Sequence, residues 1–159
     1  MEFTITSIDT GTRKFVVDYI GKNWGSSIIV TRGKVHKAET LPGFVALVDG
    51  KVKGIITYHI EKDECEIVSL DSLYENHGIG SALIVRVIRE ARANGCKRVW
   101  LITTNDNTHA IRFYQKRGFD MVAVHRNAIN ESRKIKPQIP LIGFDNIPIL
   151  HEIEFEKIL

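Results

Sequence analysis

Cysteine is scarce: Cys65 and Cys96 are the two in 159 residues. They show neither CxxC spacing nor a Cys/His cluster, which argues against a zinc site or a disulfide scaffold and predicts free thiols. No apolar run reaches the roughly 18 residues that a membrane-spanning helix needs. Met1-Glu2-Phe3-Thr4 has no basic stretch leading into an apolar one, so neither membrane nor secretory leader is expected and the reading is cytoplasmic. Charge of one sign is nowhere concentrated. The formal +3 comes from Lys and Arg spread along the whole length, which speaks against nucleic acid and leaves a mild preference for anionic ligands. There is no internal repeat, low-complexity tract or linker. What is present, 43% hydrophobic and 26% charged residues, supports an ordinary core and a single domain over residues 1–159.

Periodicity orders the chain. Phe3 to Ile8 alternate as a half-buried strand, and Asp9-Thr10 offers helix-capping chemistry. Phe15, Val16, Tyr19 and Ile20 keep helical spacing over residues 13–21, after which Gly21, Asn23 and Gly25 break it; residues 24–41 are mixed. Two β-rich runs, Phe44 to Val48 and Gly54 to Ile60, flank Asp49-Gly50, a strong hairpin signal, and Cys65 to Leu70 extends them into a meander. Strict alternation in that third run predicts Glu66, Val68 and Leu70 on one face and Ile67 and Ser69 on the other. Residues 79–93 carry an apolar stripe of Ile79, Leu83, Ile84, Val87, Ile88 and Ala91, stopped by Asn94-Gly95. Arg98 to Thr104 reads as a buried strand. Asp106 or Asn107 then caps a helix that runs through Arg117 and closes at Gly118, and a last strand lies near Leu150 to Phe155. Pro137, Pro140 and Pro148 confine the segment before it to loop or short turns.

Gly78 and Gly80 open the 79–93 helix. A helix start presents free backbone N–H groups and a partial positive charge, so an anion is favoured there where backbone can come close. Two glycines can equally be a tight turn. A dinucleotide fingerprint would need Gly or Ala where Leu83 stands, and a Walker loop would need Gly-Lys-Ser/Thr, so neither is supported.

The neighbouring elements sharpen the reading. Glu75-Asn76-His77-Gly78-Ile79-Gly80 resembles the Gln/Arg-x-x-Gly-x-Gly/Ala loop of the GNAT N-acetyltransferase superfamily. Asn107, Ala110, Phe113, Tyr114, Gly118 and Phe119 resemble its Asn-x-x-Ala-x-x-Phe-Tyr-x-x-x-Gly-Phe motif. The resemblance implies an α/β (α+β) fold with a mixed, mostly antiparallel, twisted central sheet of about six or seven strands flanked by about four helices. It implies acetyl-CoA as co-substrate, with no metal, and acetyl transfer to a primary amine of a small molecule or peptide by direct attack in a ternary complex. A non-catalytic acetyl-CoA-sensing module is the alternative, and a homodimer is compatible with either. Glu75 departs from the family's Gln or Arg; a carboxylate there is repelled by pyrophosphate and is expected to face solvent. Binding then falls to the N–H groups of Asn76, His77, Gly78, Ile79, Gly80 and Ser81, with side chains of His77, Arg86 and Arg112 as lesser candidates.

Acetyl transfer needs a neutral amine, a polarised thioester carbonyl and a proton for the leaving thiolate. An amine of pKa about 10.4 is almost wholly protonated at pH 7, so a base has a task. Glu66, in Cys65-Glu66-Ile67-Val68, looks like the glutamate base that some family members carry on this strand and is the first candidate base; it reads equally as a solvent-facing strand carboxylate or as one that only attracts the cationic substrate. Tyr114 is the candidate acid, since a phenol is protonated at pH 7, and a candidate for direct contact with the cofactor's sulfur, with packing in the core as the alternative. The family's pantetheine arm pairs with the strand before the loop, here Val68, Leu70 and Leu73, where a backbone N–H near Leu70 would polarise the carbonyl. Asn105 and Asn107 are candidates for the pantetheine or adenine end, with helix capping the other role for Asn107. Acceptor recognition is expected from residues 22–40 and from the chain beyond Phe119, where Asn130 to Pro137 can form a short helix and Pro140 to Asn146 a lid. Trp24, His36, Arg133, Phe144 and Asp145 are unranked acceptor candidates, and His125 is assigned to the fold.

Overall fold

The computed structural model describes residues 2–159; Met1 lies outside the described residues. The chain opens with β1 (Thr4–Ser7) and α1 (Thr10–Trp24). Asp9 caps α1 by accepting from the Thr12 N–H at 2.9 Å while the Thr12 hydroxyl accepts from the Asp9 N–H at 3.0 Å, a reciprocal box that holds two otherwise free donors. Gly21 and Asn23 do not end the helix as their type predicts. It continues to Trp24 and stops at Gly25, whose φ of 83° is left-handed.

The mixed stretch 24–41 resolves into a short hairpin, β2 (Ile28–Thr31) and β3 (Lys34–Lys37), a separate two-stranded sheet turning at Arg32-Gly33 with φ of 48° and 73°. The meander β4 (Gly43–Val48), β5 (Lys51–Glu61) and β6 (Glu64–Ser72) is as predicted, with Asp49 and Gly50 both at positive φ. There follow α2 (Ile79–Ala93), β7 (Arg98–Thr104), α3 (Thr108–Lys116), β8 (Asp120–His125), α4 (Ala128–Ile135), a single turn at Phe144–Asn146, and β9 (Glu152–Ile158). The last strand thus starts and ends later than the Leu150 to Phe155 pattern suggested.

Seven strands form one sheet in the order β1-β4-β5-β6-β7-β9-β8, antiparallel except where β6 lies parallel to β7. This is the predicted class: a mixed, mostly antiparallel sheet with four helices. One core lies between the sheet and α2, around Ile56, Ile67, Leu83, Val87 and Phe155; the other lies under α1, around Val16, Ile20, Val45, Ile55 and Val68. Gly54 lets α2 sit close on β5, because a Cβ there would come within 2.5 Å of the Ile79 side chain. Cys65 and Cys96 are free and buried, and burial pushes the Cys65 thiol up to about 12, so it stays protonated.

Candidate functional site

β6 follows β5 along its whole length, but it pairs with β7 only over Glu64–Ile67, against Arg98–Leu101. The strands part at Val68. There β6 carries one residue more than β5 across the Thr57/Tyr58 step, and a bulge of this kind bends a strand and raises its twist. The bulge also corrects the strict alternation. Val68 packs in the core under α1, as predicted for the Glu66 face, but Leu70 packs with Ile56 against α2 on the opposite side. From Val68 to Ser72 the β7-facing edge of β6 has no partner strand, and the gap widens into an open cleft of about 610 Å³.

One end of this cleft is the loop before α2. Gly78, at φ 78°, is its turning point, and nothing lies within 4 Å of where its Cβ would be, so the backbone is open to a ligand. The first helical bond is donated by Ala82 to the Gly78 carbonyl at 3.0 Å, which leaves the N–H groups of Ile79, Gly80 and Ser81 outside the helical ladder. Gly80 serves a second purpose: a Cβ would stand 3.1 Å from Phe113 Cζ, so its smallness lets α3 approach. Asn76, at φ 63°, and an exposed Glu75 also line the cleft. His77 is turned edge-on to Tyr74, and Leu73 donates its N–H to the Lys53 carbonyl at 2.8 Å; neither lines it.

The other wall is α3. Asn107 caps it by accepting from the Ala110 N–H at 3.0 Å while still facing the cleft. Arg112, Lys116 and Arg117 bring positive charge, and the Arg117 Nε–H donates to Ser81 Oγ at 2.9 Å, tying α3 to the start of α2. Arg86, a lesser phosphate candidate, lies instead over the Phe44 ring and pairs with Glu90 at 3.3 Å. Asn105 also lies outside. Its amide donates to the Pro148 carbonyl and its oxygen accepts from the Leu150 and His151 N–H groups, each at 2.9 Å, which latches the approach to β9.

Tyr114 reaches the cleft from a buried ring packed edge-on against Phe113 and Phe119. Burial, then the charge of Asp71, pushes its hydroxyl far above the usual tyrosine range, with Arg117 pulling the other way, so it is protonated across neutral pH.

Glu66 is neither solvent-facing nor in the cleft. It is 3% exposed, its Oε2 accepting from the Thr31 hydroxyl at 2.7 Å and its Oε1 lying 3.3 Å from His36 Nε2. The hairpin β2–β3 closes over it, and nothing in the pattern of residues 24–41 announced that cover. His36 is therefore buried as well, away from the open surface expected of an acceptor contact.

Asp71 joins the site without belonging to any motif of the sequence. It lines the cleft, and its Oδ2 is buried with no hydrogen-bond partner among the described residues. Burial raises its carboxyl to about 6, with a hydrogen bond from the Trp24 side chain drawing it down. Its signal was modest: a lone carboxylate in Ser69-Leu70-Asp71-Ser72, just before the glycine loop. Of the acceptor candidates, Trp24 is 39% exposed at the end of α1, and Phe144 lies at the cleft with its N–H held by Asp106 Oδ2 at 3.1 Å. Asp145 is exposed, and Arg133 is spent on the carbonyls of Pro140 and Ile149, each at 2.7 Å. His125 pairs with Glu154 at 2.9 Å. Among the described residues no group of three His, Cys, Asp or Glu side chains is placed to hold a metal, and no helix is long and apolar enough to cross a membrane.

The sequence model of the acetyltransferase (GNAT) family matches residues 18–119. The chain is 42% identical over 148 residues to the uncharacterized protein YdhI of Bacillus subtilis, covering 92% of each. It is 27% identical over 94 residues to a ribosomal-protein alanine N-acetyltransferase of Escherichia coli, covering 58% of this chain and 64% of that one. In fold it is similar to a GNAT family acetyltransferase from Elizabethkingia anophelis whose crystal structure holds acetyl-CoA, with a TM-score of 0.71 at 20% identity over 99% of this chain and 98% of that one.

Proposed function

The chain belongs to the acetyltransferase (GNAT) family, and from that premise we propose that it moves the acetyl group of acetyl-CoA to a primary amine of a small molecule or peptide, by direct attack in a ternary complex. The observation that carries this reading is the free edge of β6 beyond Ile67, which runs straight into the open backbone at Gly78 with Tyr114 set in the gap. An extended pantetheine arm fits that edge as an added strand, and a pyrophosphate fits the N–H groups from Ile79 to Ser81. The bound thioester supplies the activated acetyl carbon.

The chain's own groups take separate parts. A backbone N–H near Leu70 polarises the thioester carbonyl. Arg112, Lys116 and Arg117 answer the negative charge of the phosphates, which suits a loop whose Glu75 cannot. Tyr114 gives its proton to the departing sulfur.

Calorimetry with acetyl-CoA at low salt, followed by thiol release over a panel of amines, tests the reading. Binding with turnover on at least one amine is the expected result, and no heat of binding overturns it. Binding without turnover on any amine would turn it into an acetyl-CoA-sensing module.

A further inference from the structure

Asp71 joins two spaces that the sheet otherwise separates. It stands opposite Ile55, whose side chain belongs to the core under α1, and on that side its charge acts on Tyr19 while the Trp24 side chain of α1 offers its carboxyl a hydrogen bond. Yet it also lines the cleft on the far side, where its charge acts on Tyr114. Asp71 borders the cleft because no strand pairs with residues 68–72 on the β7 side of β6, while β5 holds their other edge.

A buried carboxylate oxygen without a partner is rare in a folded chain, since losing water without regaining a hydrogen bond is costly. Besides Ser132 Oγ, Asp71 Oδ2 is the one such side-chain atom among the described residues. No cation of the chain has been spent on it: Lys53 of β5 lies over the Tyr74 ring, and Arg117 is engaged with Phe113 and Ser81. The groups that face it are Tyr19 and Trp24 from α1 and Tyr114 from α3, with Arg117 acting behind Tyr114. Glu66 contrasts in every respect, with both oxygens engaged under a closed hairpin.

Building on the proposed acetyl transfer, we propose that the Asp71 carboxylate receives the ammonium of the acceptor and serves as its base, the acceptor entering from the α1 side past Tyr19 and Trp24. The ammonium yields one proton to Asp71, which passes it to water. The neutral nitrogen then attacks the thioester carbon; the C–N bond forms, the C–S bond breaks, and the second nitrogen proton goes to Asp71. Tyr114 protonates the thiolate, and the proton on Asp71 restores the phenol. The net products are amide, free CoA thiol and one proton in solution. A carboxyl near 6 is ionised at neutral pH, yet is a stronger base than an ordinary aspartate.

The test is Asp71→Asn beside Asp71→Glu in the full chain, with phenethylamine and spermidine as probes. The expected result is acetyl-CoA binding within about twofold of the parent and kcat lower by roughly 100-fold, the scale of a lost general base. The parent's kcat should fall with acidity through a step near pH 6 that Asp71→Asn lacks and Asp71→Glu partly restores. Calorimetry of phenethylamine on the CoA-loaded protein should show binding at pH 8 that weakens below pH 6 in the parent alone. Unchanged kcat in Asp71→Asn with the acid step retained overturns the inference. Parent protein that fails to bind acetyl-CoA is a different result and brings down the function beneath it.

Discussion

The guanidinium of Arg117 lies 3.5 Å from the centre of the Phe113 ring, and the same side chain donates to Ser81 Oγ in the first turn of α2. Phe113 in turn stands where Gly80 leaves room for it. The glycine loop and the second helix of the site are thus one mechanical unit, its positive charge held rigid by stacking.

Arg117→Ala should therefore raise the dissociation constant for acetyl-CoA roughly tenfold, equivalent to about 1.4 kcal/mol. Arg117→Lys should recover only part of this, because an ammonium keeps the charge without the planar stack. Calorimetry at low and high salt measures both, and equal affinity for all three proteins would remove Arg117 from the binding site.

Tyr114→Phe keeps the ring among Phe113, Phe119 and Phe155 and deletes the proton. Turnover at saturating substrates should fall about 100-fold, with acetyl-CoA affinity and thermal stability little changed. Because the hydroxyl is held far above its usual range, the parent's rate should show no loss from Tyr114 ionisation between pH 7 and 10. Full turnover in Tyr114→Phe would end its role as acid.

Asp71 also bears on stability. Its folded value of about 6 exceeds the ordinary 3.8, so folding favours its protonated form; the stabilisation this gives is complete below pH 4 and lost as pH rises through 6. Asp71→Asn removes the buried charge and should stabilise the protein by roughly 3 kcal/mol at pH 8. The gain should shrink to nothing by pH 4. Urea midpoints at pH 8, 6 and 4 would show it, and a gain independent of pH would contradict the assignment.

Glu66→Gln keeps shape while removing charge from a carboxylate that binds Thr31 and faces His36. Loss of about 1–3 kcal/mol is expected, together with faster amide exchange in residues 28–37. Its kcat should fall less than that of Asp71→Asn. A larger kcat loss at Glu66 than at Asp71 would reverse the two carboxylates' assignments.

The helix at 79–93, the Asp49-Gly50 hairpin and the glycine loop were legible because each is a local matter: the period of the apolar residues, positive φ at a turn, and free N–H groups at a helix start depend on neighbours in sequence. The motif from Asn107 to Phe119 placed Tyr114 at the site for the same reason, since cap, face and stop all lie on one helix. Local pattern alone therefore fixes the β4–β6 meander, the helices α2 and α3 that wall the cleft, and the glycine turn that opens α2.

Which carboxylate meets the cleft was decided only in three dimensions. One extra residue at Val68 shifts the alternation of β6, and no period of two foretells it. The hairpin of residues 28–37, which has no clear period, closes over Glu66, while the parting of β6 from β7 leaves Asp71 at the wall of the cleft. Burial and the loss of strand pairing are properties of residues far apart in sequence, so one carboxylate became a fully satisfied buried group and another, five residues later, kept one buried oxygen without a partner.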